Sequence, residues 1–144
     1  MEMKVFVATD FSETSQKAIA YAKKMTSQME CKLGIVHIFD SSLIQTPLPY
    51  YPAEHHFLDE FIKKARDKGK IKLDETAKDV GENCEVYFLE GKPSKQLIKF
   101  VEENDVDLLI LGTHGYTGLS RLFLGSVAES VLRKAQCPVL TIRS

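Results

Sequence analysis

Five short runs of apolar and β-branched residues recur along the chain, and a stretch with helical spacing separates each from the next. The runs are Lys4 to Ala8 (KVFVA), Lys32 to Phe39 (KLGIVHIF), Cys84 to Leu89 (CEVYFL), Val106 to Leu111 and Val139 to Ile142. Runs this short, rich in β-formers and bounded by turn residues, predict buried strands. The order is therefore βαβαβαβαβ. Strict alternation leaves few folds: it implies one parallel sheet covered on both faces by right-handed crossovers. The fold class predicted is α/β, a single domain over residues 1–144, with a five-stranded parallel sheet and helices on both faces.

The helical stretches have their own signals. Ser12 is an N-cap candidate, and Ala18, Ile19, Ala22, Met25 and Met29 recur behind it on one face. Phe57 to Val80 predicts a long helix, with Phe57, Phe61 and Ala65 sharing a face with Leu58 and Ile62, continued by Leu73, Ala77 and Val80. Gly69 is a place for a bend, and Gly81 a natural residue just past the helix end. Pro93 opens a third helix in its favoured first turn, with Leu97, Ile98 and Val101 inward and Asn104-Asp105 at its end. Val127 to Ala135 predicts the fourth, stopped by Cys137-Pro138. Gly34 inside the second strand is expected where another backbone comes close. Asp40 to His56 holds Pro47, Pro49 and Pro52 around Tyr50 and Tyr51. Prolines this dense predict a long loop, either a lid or a solvated connection.

Composition narrows the function classes. Nineteen basic and 20 acidic residues leave a net charge of −1, without the basic footprint that non-specific nucleic-acid binding needs. No apolar run approaches membrane-spanning length, and the first residues, MEMKVFVATD, read as a strand and not as a signal peptide. Cys31, Cys84 and Cys137 form no CxxC pair. An odd, sparse count suits free thiols in a reducing cytoplasm. Cys31 and Cys84 each open a strand, and proximity of the two is a possible reading beside that of buried free thiols.

In open parallel sheets, ligands bind outside the carboxyl ends of the strands, where the strand order reverses. Two loops suit that crevice. Asp10 ends the first strand and Gly112 the fourth. An order of 3-2-1-4-5 makes those strands neighbours; the alternative is 2-1-3-4-5. The stretch after the fourth strand is LGTHGYTGLSRLFLGS, Leu111 to Ser126, with glycines at Gly112, Gly115, Gly118 and Gly125. A glycine loop between a buried strand and a helix start suits a phosphate, because the ligand can approach bare backbone and meet free N–H groups. The Walker A pattern is not met, since no lysine stands between Gly125 and Ser126. The dinucleotide fingerprint is not met either, since the turn after Ala8 has no glycine.

The stretch resembles the universal stress protein family, in its ATP-binding branch. The pattern is Gly, two residues, Gly, nine residues, Gly, then Ser or Thr, met here by Gly112, Gly115, Gly125 and Ser126. The likeness extends to Thr9-Asp10 with Phe11-Ser12-Glu13, His37-Ile38, Gly91-Lys92-Pro93 and Cys137-Pro138-Val139-Leu140. It implies a Rossmann-like sheet of order 3-2-1-4-5, of the adenine nucleotide alpha hydrolase-like kind. It implies that Leu111 and Gly112 line the ribose and adenine side. Asp10 and the backbone of Ala8 and Thr9 lie on the nucleoside side, and Ile38 offers backbone groups to the adenine edge. Gly115, Gly125, Ser126 and the amide of Val127 hold phosphates, with His114 near them. The implied ligand is ATP with Mg²⁺ or another divalent ion bound through the phosphates. The implied assembly is a homodimer through Val139 to Ile142, in the cytoplasm, without nucleic-acid or membrane partners.

Simpler roles stand beside these. Gly112 and Gly115 could be strand-exit turns, Asp10 a cap of the first helix, Ser126 a cap of the fourth, and Arg121 a solvent-facing charge. Glu54, His55, His56 and Asp59 resemble a metal cluster, though adjacent histidines at a helix start are more often simply polar. The leading expectation is a stress-response protein that holds ATP and changes its interactions accordingly. The alternative is a slow ATPase or self-phosphorylating enzyme at the same site, with His114 and Asp10 as the only candidates for chemistry.

Overall fold

The computed structural model describes residues 2–42, 52–114 and 124–143. The elements follow the predicted order: β1 (Met3–Ala8), α1 (Glu13–Thr26), β2 (Cys31–Asp40), α2 (Pro52–Val80), β3 (Glu85–Gly91), α3 (Pro93–Glu103), β4 (Leu108–Gly112), α4 (Ser126–Lys134) and β5 (Val139–Ile142). Every strand pair is parallel. The sheet order is β3-β2-β1-β4-β5, so the alternative 2-1-3-4-5 is excluded.

Strand alternation divides the core in two. Phe6, Val36, Ile38, Leu109 and Leu111 point to the face that α3 and α4 cover with Leu97, Phe100, Val101, Ala128 and Val131. Val5, Val7, Ile35 and Ile110 point to the other face, covered by Ala18, Ile19 and Ala22 of α1 and Leu73 and Ala77 of α2. Val5, Val7, Ile35, Val36, Leu109 and Ile110 are fully buried. Each such side chain contributes about 1.5–3 kcal/mol relative to exposure, which is why the central strands carry almost no polar residue.

Four local expectations are corrected. First, Gly34 is not there for a backbone. It pairs with Phe6 across β1 and β2, and a Cβ on it would stand 2.3 Å from the Phe6 ring. That ring is held edge-on by Phe100 and Tyr87 at 5.0 and 5.7 Å. Second, α2 starts at Pro52, inside the span assigned to the proline-rich loop, because a helix accepts proline in its first turn, where no N–H partner is needed. Pro47, Pro49, Tyr50 and Tyr51 of that predicted loop lie outside the described residues. Third, the buried line of α2 runs through Gly69, Leu73 and Ala77, while Phe57 and Phe61 are 72% and 71% exposed. The helix passes unbroken through Gly69, whose bare side takes the Phe88 ring. Fourth, α1 ends at Thr26, so Met29 lies beyond it and is exposed.

Candidate functional site

The carboxyl ends of β1 and β4 lie side by side, with Val7 paired to Ile110. Asp10 and Gly112 therefore leave the sheet at the point where the strand order reverses. Thr9 follows β1 and is buried, and each of its polar atoms has a partner. Its N–H donates to the Val36 carbonyl at 2.9 Å. Its hydroxyl lies 3.1 Å from that of Ser15 and accepts the Phe11 amide at 3.0 Å. Its carbonyl accepts from His37 Nδ1 at 2.7 Å. Asp10 is exposed at the rim, and one carboxylate oxygen accepts the Ser12 amide at 3.0 Å. The cap of α1 is Ser12, whose hydroxyl accepts from the Ser15 amide. Asp10 therefore does not cap that helix; it braces the residue that does.

Gly112 is more than a strand exit. A Cβ there would stand 2.7 Å from Thr14 Cγ2, so the glycine lets the first turn of α1 rest on the end of β4. Next comes Thr113, buried, with its N–H donating to Ile142 of β5 and its carbonyl accepting the Gly125 amide at 2.7 Å. Its hydroxyl lies 2.8 Å from His114 Nδ1. The two ends of the glycine stretch are thus tied together. Gly115, Gly118 and Arg121 lie outside the described residues.

The N-cap of α4 is Gly125, not Ser126, which is the first helical residue. Glycine brings no side-chain acceptor, so the amides opening α4 lack the cap that Ser12 gives α1. The start of α3 is also without a side-chain cap, but Pro93 in its first turn removes a donor. Ser126 is exposed and Val127 half-buried. Uncapped amides with the positive end of the helix dipole suit an anion. Ile38 completes the rim from β2; its side chain is buried on the α3/α4 face. The structure thus brings Ala8, Thr9, Asp10, Ile38, Leu111, Gly112, His114, Gly125, Ser126 and Val127 to the carboxyl end of the sheet.

Three participants escaped the sequence reading. Thr113 and Thr14 are buried supports of the loop and of Gly112, with no spacing signal to mark them. His37 had a signal: one ionisable residue inside the apolar run IVHIF. Burial pushes its pKa below the ordinary value, opposed by the Thr9 hydrogen bond and Asp10 and assisted by Lys72.

Elsewhere, His56 is exposed and pairs with Glu60 at 3.4 Å, one turn along α2. Among the described residues no group of three or more His, Cys, Asp or Glu could hold a metal ion. Cys31 and Cys84 are free, partly buried, and line one cavity of about 710 Å³ at the amino end of the sheet. Burial raises both thiol pKa values, which keeps them protonated. Among the described residues no helix is long and apolar enough to cross a membrane.

Comparison with known proteins agrees with this fold. The profile of the universal stress protein family matches residues 1–143. Universal stress protein MJ0531 of Methanocaldococcus jannaschii is 32% identical over 142 residues, covering 97% of this chain and 81% of that protein. The solved structure of MJ0577, from the same organism, superposes with a TM-score of 0.83 at 30% identity, over all of this chain and 97% of that one. A universal stress protein in complex with cAMP has a TM-score of 0.61 at 24% identity, covering 97% of this chain and 95% of that one. A family protein of Arabidopsis thaliana with AMP bound has a TM-score of 0.63 at 20% identity, covering 98% and 91%.

Proposed function

The chain belongs to the universal stress protein family, and we propose that it is an ATP-binding member, holding the nucleotide between the ends of β1 and β4. The observation that carries this reading is the uncapped start of α4, tied by Gly125 to Thr113 at the end of β4. An anion at those amides replaces the missing cap. Family proteins with cAMP and AMP bound support an adenine nucleotide as the source of that anion.

Each residue then has a role. Gly115, Gly125, Ser126 and the Val127 amide hold phosphates, with His114 near them. Leu111 and Gly112 meet the ribose side. Asp10 and the backbone of Ala8 and Thr9 face the nucleoside, and Ile38 presents backbone groups to the adenine edge. A divalent ion such as Mg²⁺ is held through the phosphates and offsets their charge. Ligand occupancy bears on partner interactions, which makes the protein a cytoplasmic regulator, paired with a second copy through β5. Any ATP turnover is slow, because His114 and Asp10 are, among the described residues at the site, the only candidates to assist it.

Mass spectrometry of whatever co-purifies, followed by calorimetric titration with Mg²⁺-ATP, tests the reading. Adenine nucleotide should be found and ATP should bind. A protein that carries none and shows no binding heat at millimolar ATP would overturn it.

A further inference from the structure

His37 sits behind the crevice and not in it. Its ring packs against Phe11 at 4.4 Å and Phe88 at 5.6 Å, both part of the α1/α2 side of the core. The Ile38 side chain belongs to the opposite face. A buried imidazole in an apolar strand needs a reason, because isoleucine or valine fills such a position without a polar group to satisfy. The reason on view is the Thr9 carbonyl. A carbonyl only accepts, so His37 Nδ1 carries the proton and donates to it at 2.7 Å.

The turn beyond Thr9 is backbone of an unusual kind. Phe11 has a φ of 65°, in the left-handed region that bulky residues avoid. Such a residue persists only where its surroundings over-determine it. Here its amide is held by the Thr9 hydroxyl, and its ring lies between His37 and the Lys72 ammonium, 5.6 Å away. Asp10 stands between these two fixed residues. Its carboxylate is aimed by the path of the chain from Thr9 to Phe11 and by the Ser12 amide it accepts. His37 touches both flanks: it donates to Thr9 and packs on Phe11.

We propose that His37 is a positioning residue for the nucleoside side of the crevice, acting through Thr9 and Phe11 to hold the Asp10 carboxylate in place; this rests on the nucleotide reading above. The chemistry makes a sharp distinction between substitutions. Asparagine places an N–H close to the Nδ1 position and keeps the donor. Glutamine carries its N–H one bond further and misses the carbonyl. Phenylalanine keeps an aromatic ring but offers no donor. A residue that merely filled the core would rank phenylalanine first.

Two readouts test this. The first needs no nucleotide: amide hydrogen exchange of Phe11 and Ser12, measured by NMR. His37→Phe should accelerate exchange at both amides and leave the α3 amides of Leu97 to Val101, on the other face, unchanged. His37→Asn should restore protection. If His37→Phe fails to fold, His37→Gln takes its place, with the same expectation. Unchanged protection at Phe11 and Ser12 overturns the proposal. The second readout is Mg²⁺-ATP affinity by calorimetry in a double-mutant cycle. His37→Phe should weaken binding by about tenfold, and His37→Asn by less than about threefold. In an Asp10→Ala background the His37→Phe effect should shrink to less than about twofold, because the group being positioned is gone. An equal loss in both backgrounds overturns the proposal. A parent protein that binds no ATP overturns the nucleotide reading instead, and the exchange pattern alone then decides whether His37 sets Asp10.

Discussion

The amide of Gly125 donates to the Thr113 carbonyl at 2.7 Å, and a Cβ on Gly125 would stand 2.9 Å from that same oxygen. The glycine has φ −61° and ψ 152°, a conformation open to any residue. Its requirement is therefore contact with backbone, not a special dihedral. Gly125→Val pushes on a carbonyl anchored through Thr113 to β5, so it should loosen the loop closure as well as crowd the proposed phosphate. It should cost about 1–3 kcal/mol of stability and at least about tenfold in ATP affinity. Ser126→Ala separates the two effects. Ser126 is exposed and does not cap α4, so its removal should leave thermal unfolding unchanged while weakening ATP by about 0.5–1.5 kcal/mol. Calorimetric titration beside thermal melts reads both. Parent-like ATP binding by folded Gly125→Val would move the phosphate away from this loop.

Gly34 gives a test of the core alone. Phe6 cannot swing aside, because Tyr87 and Phe100 hold its ring edge-on. Gly34→Ala should therefore destabilise by about 1–3 kcal/mol, seen as a lower urea midpoint with unchanged slope. Adding Phe6→Leu should give a loss smaller than the sum of the single losses, since the side chain that clashes is reduced. Strict additivity would show that the ring relaxes without cost.

The sheet was legible where periodicity and burial coincide. Val5, Val7, Ile35 and Ile110 read as buried strand residues because both faces of the sheet are covered. Periodicity failed at the start of α2. The helix has 29 residues and β2 has 10, spans of about 44 Å and about 33 Å, so its ends overreach the strand beside it. Apolar spacing cannot say where a helix overhangs its sheet, and Phe57 and Phe61 are exposed there. Among the site residues, Asp10 and Gly112 were legible as strand ends facing one crevice, and the glycine spacing marked Gly125 and Ser126. The supports were not. Thr14 and Thr113 act through contacts with segments distant in sequence, and no pattern in one segment encodes its partner.

The pKa of His37 lies below the ordinary value of 6.5, chiefly through burial. Asp10 and the Thr9 carbonyl favour the charged ring and Lys72 opposes it, and these do not reverse the direction. The unfolded chain thus binds a proton at a higher pH than the folded one. The stabilising contribution is full above pH ~6.5 and is lost as the pH falls from there through the folded pKa. Urea denaturation between pH ~7.5 and ~5 should show stability declining with acid. His37→Asn should decline less steeply over that window, since the carboxylates remain and only the imidazole is gone. Parallel curves for parent and variant would show that His37 titrates alike in both states.

β5 closes one edge of the sheet and pairs only with β4 among the described strands. The carbonyls of Pro138 and Ile142 accept from Leu109 of β4 and from Thr113 just past it. Alternation along a strand then turns the N–H and C=O of Val139 and Thr141 toward the open edge. All four residues of β5 are half-buried in the single chain, leaving apolar surface on a strand with an open edge. Such an edge invites pairing with another, and a two-fold axis closes the assembly with one kind of contact. The expected state is a homodimer, about twice the 16.2 kDa of the chain by light scattering at micromolar concentration. Thr141→Pro should dissociate it, because proline removes an outward N–H while leaving the β4 ladder intact. Leu140→Pro is the contrasting change. It deletes an N–H on the β4 side and should lower the melting temperature whether or not the protein pairs. A parent that scatters as a monomer, or a Thr141→Pro protein that stays dimeric, would place the interface elsewhere.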